Sequence, residues 1–127
     1  MHIEIDIELE VDLQLQFMLT NMAAQLPEKY VAEHREPRHF LYIVYEDASI
    51  SSKPLDEGII CFLNGLVAFR EKISALNACV RVGMFYQVNE TIVCPVRLSK
   101  QCIKILNQFG VSLDVTGYPC SDDEPTC

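Results

Sequence analysis

Basic residues are scarce in this 127-residue sequence. Lysines and arginines number 10 against 18 aspartates and glutamates, a net charge of −8. A nucleic-acid-binding surface needs a basic footprint to neutralise phosphates, so that class of function is excluded. Glycine and proline are few (5 and 6) and no heptad persists, which removes collagen-like and coiled-coil architectures. Half of the residues are hydrophobic (50%), so low-complexity disorder is excluded too. Long apolar runs are missing: residues 59–63 and 66–69 fall far short of the ~20 that cross a bilayer, and no membrane association is expected. Residues 1–12 carry five acids and no base, whereas a secretory leader needs a positive start and a continuous apolar stretch. The expected compartment is the cytoplasm.

Metal-site spacing is lacking as well. The six cysteines, at 61, 79, 94, 102, 120 and 127, form no C-x-x-C pair, so no zinc site and no cofactor are expected. In a reducing compartment free cysteines behave as small hydrophobes. Cys61 and Cys102 are expected as buried thiols on apolar helix faces. Cys120 and Cys127 bracket a polar stretch; a bridge between them is sterically feasible, and two exposed thiols are the expectation.

What is present is clear periodicity. Ile3, Ile5, Ile7 and Leu9 alternate with Glu4, Asp6, Glu8 and Glu10, which predicts a half-buried strand. From Asp12 the period changes: Leu15, Met18, Leu19, Met22 and Leu26 predict a helix over 12–25, capped by Asp12 and stopped before Pro27. Residues 27–39 are polar, carry both charges and read as a loop. Residues 39–45 are apolar on both faces, the pattern of a central strand covered on two sides.

Leu55, Ile59, Phe62, Leu63, Leu66, Phe69, Ile73 and Leu76 predict one helix of about twenty residues beginning at Pro54. Gly58 and Gly65, seven apart on it, suit close approach of a neighbouring chain. Residues 79–88 alternate as a strand, and a turn at Asn89-Glu90 would return the chain through 91–98 as a hairpin that Pro95 confines to an edge or bulge. Ser99 is a helix cap, Cys102, Ile105, Leu106 and Phe109 form the stripe, and Gly110 is a left-handed terminator. A last strand follows over 111–116.

The order β-α-β-α-β-β-α-β predicts an α+β fold, a single-domain sandwich of a mostly antiparallel sheet with amphipathic helices. One domain is expected over 1–120, with a mobile polar tail over 121–127.

In the C-terminal half of the chain, four features run in order: the long amphipathic helix, strand-turn-strand, Leu98-Ser99 opening a helix, and Phe109-Gly110-Val111-Ser112-Leu113-Asp114 leading to Tyr118. That ending resembles the small bacterial domains of unknown function catalogued as family 4279. The resemblance implies a small α+β fold and carries no assigned chemistry, so no functional residue follows from it.

Catalytic signatures are sparse. There is no G-x-S-x-G elbow and no phosphate-cradling glycine loop. His34 and His39, with Glu33, Arg35, Glu36 and Arg38 around them, could serve as acid and base or hold a metal. Pro37 between them, however, prevents one helix from presenting both rings.

The charge distribution points elsewhere. Residues 1–26 hold five acids and no base, while 78–110 hold one acid against Arg81, Arg97, Lys100 and Lys104. A row of like charges on one strand face must be paired or stand in water, so Arg81 or Arg97 could face it across the sheet. The alternative is an acidic face that docks a basic protein, where complementarity speeds encounter and selects the partner.

The reading is a bacterial immunity protein, not an enzyme, that neutralises a basic toxin, conceivably a nuclease. Its expected contact residues are Glu4, Asp6, Glu8, Glu10, Tyr45, Glu46 and Asp47, with Tyr45 the most exposed tyrosine. The competing readings are a small enzyme or ligand-binding domain using His34 and His39, and a structural homo-oligomer joined through residues 40–45; a monomer and a homodimer both fit the sequence.

Overall fold

The computed structural model describes residues 1–11, 21, 24–35, 40–89 and 96–121. Five strands form one sheet: β1 (His2–Glu10), β2 (Tyr30–Arg35), β3 (Phe40–Tyr45), β4 (Asn77–Gln87) and β5 (Ser112–Cys120). Their spatial order is β2-β3-β1-β4-β5, antiparallel throughout except for the parallel β4–β5 pair. Helices α1 (Leu55–Asn64), α2 (Arg70–Ser74) and α3 (Lys100–Phe109) pack on one face. The α+β class with a mostly antiparallel sheet and amphipathic helices is what the structure shows. The helix expected over 12–25 and most of the return strand over 91–98 lie outside the described residues, as do His39 and the tail from residue 122.

β1 sits in the middle of the sheet because its isoleucine face has the most to bury. Ile5, Ile7 and Leu9 are fully enclosed, packing with Ile43, Val80, Phe62, Leu63, Ile59 and Phe109. Each such side chain contributes about 1.5–3 kcal/mol relative to exposure. The α3 boundaries follow the sequence closely. The Ser99 hydroxyl accepts from the Cys102 amide at 3.1 Å, and Gly110 takes φ 63°, the left-handed conformation a side chain would resist.

Two expectations are corrected. Residues 30–35 are a strand: β2 pairs with β3 from Tyr30↔Tyr45 to Arg35↔Phe40, and as an edge strand it needs little apolar periodicity. The single long helix over 54–76 is broken into α1, a 3₁₀ turn at Val67–Phe69, and α2. The cause is Tyr30, whose hydroxyl donates to the Phe62 carbonyl at 2.5 Å. That carbonyl would otherwise accept from the Leu66 amide, which turns instead to Leu63 at 2.9 Å. Residues 40–45 form an interior strand, as their apolar pattern on both faces predicts: Leu41 and Ile43 enter the helix-side core, and Tyr42 on the other face is buried beneath a guanidinium.

Among the described cysteines, Cys102 is buried, Cys61 is only partly so, and Cys120 is buried and disulfide-bonded. Cys120 is therefore not the exposed thiol its neighbours suggested. No helix among the described residues is long and apolar enough to cross a membrane.

The Tyr30 contact makes Gly65 sensitive. A methyl group there would overlap the Tyr30 hydroxyl and lie 2.6 Å from Cζ and 2.8 Å from Cε2. Alanine ordinarily gains about 0.5–1 kcal/mol over glycine in a helix, whereas overpacking costs about 1–3 kcal/mol. Gly65→Ala is therefore expected to lower the urea midpoint; an unchanged or raised midpoint would refute the Tyr30 clamp.

Candidate functional site

Because alternate residues of a strand point to opposite faces, burying Ile3 to Leu9 under the helices puts His2, Glu4, Asp6, Glu8 and Glu10 on the other face. No described element packs over that face, and Glu4, Glu10, Glu33, Asp114, Thr116 and Tyr118 are exposed on it. The neighbouring strands set the companions of the acid column. Register places Asp6 beside Arg81 and Glu8 beside Cys79 on β4, and Glu8 beside Tyr42 on β3.

Arg81 holds the column together. Its Nε and Nη2 donate to the two oxygens of Asp6 at 2.8 and 2.6 Å, a bidentate pair, while Nη1 lies 3.4 Å from Glu8 Oε2. The guanidinium carbon stands 4.6 Å from the centre of the Tyr42 ring. The hydrogen bonds that Arg81 donates to Asp6 raise its pKa above the ordinary value. Of the two arginines expected to face the row, Arg81 is placed against it. At the column's ends, Glu10 accepts from Asn77 Nδ2 at 2.9 Å, and Glu4 meets His2 Nε2 at 3.2 Å with a largely exposed side chain.

Tyr45, Glu46 and Asp47 follow the end of β3. Asp47 caps the 3₁₀ turn Ala48–Ser52, accepting from the Ser49 amide at 3.0 Å, the Ser49 hydroxyl at 2.7 Å and Lys29 Nζ at 3.0 Å. These bonds, the Ser49 hydroxyl first, hold its carboxyl well below the usual carboxylate range. Tyr45 packs against the Tyr30 and Phe62 rings at 4.9 and 5.6 Å, and its hydroxyl bonds Asp47. The expectation that Tyr45 is the most exposed tyrosine is thus overturned. Tyr118, 47% exposed on β5, has that place, because Tyr45 ends an interior strand above α1. Glu46 is exposed.

Two grooves share Glu4 and Asp6 as the ridge between them. The larger, about 560 Å³, reaches toward Glu33, Tyr45, Glu46 and Asp47, so most of the expected contact residues do converge. The smaller, about 290 Å³, opens on the other side toward Gly83, Phe85, Asp114 and Tyr118. Glu8 and Glu10 lie further along the column. Asp114, Tyr118 and Gly83 were missed by sequence reasoning. The alternation of β5 signals an outward Asp114, but only strand order puts it beside the acid column.

His34 stands exposed on β2 rather than in a loop, in register with Leu41. Among the described residues no group of three or more His, Cys, Asp or Glu side chains is placed to hold a metal ion. No family model matches the chain, and neither a curated protein nor a solved structure matches it.

Two substitutions test this electrostatic layout. Arg81→Met keeps the apolar stem over Tyr42 but leaves Asp6 and Glu8, about 6.6 Å apart along the strand, uncompensated. A loss of about 1.5–3 kcal/mol is expected in denaturant titrations, partly recovered at high salt; an unaltered midpoint would show the pair to be inconsequential. The Asp47 carboxyl titrates lower in the folded chain than in the unfolded one. Its contribution is therefore present above about pH 4 and is lost as pH falls toward the folded value. Stability of Asp47→Asn should fall less steeply than wild type between about pH 4.5 and pH 2; parallel curves would refute the capping role.

Proposed function

We propose that the chain is a bacterial immunity protein that binds a basic toxin through the face of its sheet opposite the helices. The observation that carries the reading is the acid column on the central strand, with Arg81 the only described lysine or arginine side chain lying against it. Such a face attracts a basic partner over roughly a Debye length, about 8 Å at physiological salt. It also repels acidic proteins, which gives partner choice as well as a rapid encounter. Blocking a toxin before its release would require the chain in the cytoplasm. The Cys120 disulfide points the other way, toward an oxidising compartment.

Asp6 and Glu8 are engaged by Arg81, and Asp47 is engaged by its cap, so on this reading the partner meets the exposed Glu4, Glu46 and Asp114. Of these, Glu4 and Asp114 bond His2 and Thr116 on their own strands. The test is retention of proteins from the native lysate on immobilised chain across a salt gradient, followed by assay of the eluted partner's toxicity or enzymatic activity. A basic protein should elute as salt rises, and its activity should be abolished by stoichiometric wild-type chain. Glu4→Lys/Glu46→Lys should neutralise it at least about tenfold less well, with the loss mainly in the association rate. Salt-insensitive retention, or a partner whose activity the chain leaves intact, would refute the reading. Alkylation of the protein in intact cells before lysis separates the compartments, since a cytoplasmic chain should yield Cys120 as a thiol.

A further inference from the structure

The sheet register makes a three-by-three grid on the open face. Asp6, Arg81 and Asp114 form one row, Glu4, Gly83 and Thr116 the next, and His2, Phe85 and Tyr118 the third. The middle position is a glycine, which lets the Phe85 and Tyr118 rings close over the backbone there, and a pit of about 290 Å³ lies among the surrounding side chains. From this we infer that the pit is a socket for one arginine side chain of a basic protein partner. The inference rests on the reading of this face as a docking surface.

Each wall supplies something an arginine needs. Phe85 and Tyr118 stack with centres 5.0 Å apart and planes 19° from parallel, and they lean toward the pit: a Cβ on Gly83 would lie 3.1 and 3.3 Å from their rings. Tyr118 remains 47% exposed, so the stack offers an accessible aromatic surface to a planar cation. The opposite wall is Arg81, locked against Asp6 by two hydrogen bonds and thereby prevented from swinging into the pit.

The flanks are Glu4 on β1 and Asp114 on β5, the latter bonded to the Thr116 hydroxyl through Oδ1 at 2.7 Å. With three carboxylates against one guanidinium, the ring of side chains favours a cation. Glu4 and Asp114 stand two strand spacings and one row apart, roughly 12 Å between their backbones, too far to share the compact shell of a metal ion. A guanidinium presents donors on both sides to carboxylates that reach in from such flanks, stacks on rings and gives up its water more readily than an ammonium, which selects arginine over lysine.

The probe is Nα-acetyl-arginine methylamide, titrated at low salt into the ¹⁵N-labelled full chain, with the citrulline and lysine analogues alongside. Saturable shifts are expected at the Gly83, Thr116 and Tyr118 amides, at least about tenfold weaker for uncharged citrulline and for lysine. They should vanish in Glu4→Gln/Asp114→Asn, which preserves the shape of the pit, and in Gly83→Val, whose side chain displaces the Phe85 and Tyr118 rings that wall it. Absence of saturation, equal response to citrulline or lysine, or persistence in the Glu4→Gln/Asp114→Asn variant would overturn the socket. If the socket fails while a basic partner still binds with salt sensitivity and loses affinity in Glu4→Lys/Glu46→Lys, the docking-face reading stands alone. If neither is seen, both fall.

Discussion

β1 has a hydrogen-bonded strand on each side and three fully buried apolar side chains on one face. From that placement its carboxylates inherit their position: a central strand cannot turn its acids to a sheet edge, so they stand in a column in the middle of the opposite face. The column is tolerable because β4 is antiparallel to β1 in the register that sets Arg81 beside Asp6. A slip of one residue would send Arg81 into the helix-side core and Val82 into the acid column. The ion pair and the hydrophobic core therefore specify the same register, the core by area and the pair by geometry.

The same layout divides the acids into two groups. Asp6, Glu8 and Glu10 bond residues of the neighbouring strand and Asp47 caps a turn, so these act structurally. Glu4 and Asp114, which bond His2 and Thr116 on their own strands, and Glu46 project around the two grooves that flank the start of β1. A surface of this kind has a rigid floor, because the sheet and its helix layer are closely packed beneath it, and charges that need no rearrangement to meet a cation. Preorganisation of that sort reduces the ordering cost of association.

Tyr30 shows how one polar contact reshapes an apolar pattern. Eight apolar residues from Leu55 to Leu76 keep helical spacing, yet the helix breaks after Asn64 because a hydroxyl from the edge strand takes the Phe62 carbonyl. The break turns the chain from α1 into the 3₁₀ segment and α2 without exposing the stripe, and Leu66, Phe69 and Ile73 remain buried. Spacing reports which residues face the core. It is silent on whether the backbone between them runs as one helix or three short pieces.

The sequence by itself determined the α+β class, the buried face of β1, the extent of α3 from its serine cap to its glycine terminator, and the acid column. Each depends on neighbours within one turn or one strand, where period and capping chemistry act. Tertiary structure decided the rest. β2 was unreadable because an edge strand is stabilised by the ladder of β3 and not by a pattern of its own. Tyr45 was misjudged because acidic neighbours in sequence say nothing of the rings above α1. The pit over Gly83 exists only once β1, β4 and β5 lie side by side, since its nine residues come from three strands separated by most of the chain. Local sequence carries periodicity; strand order and register, which create the grid, arise from long-range packing.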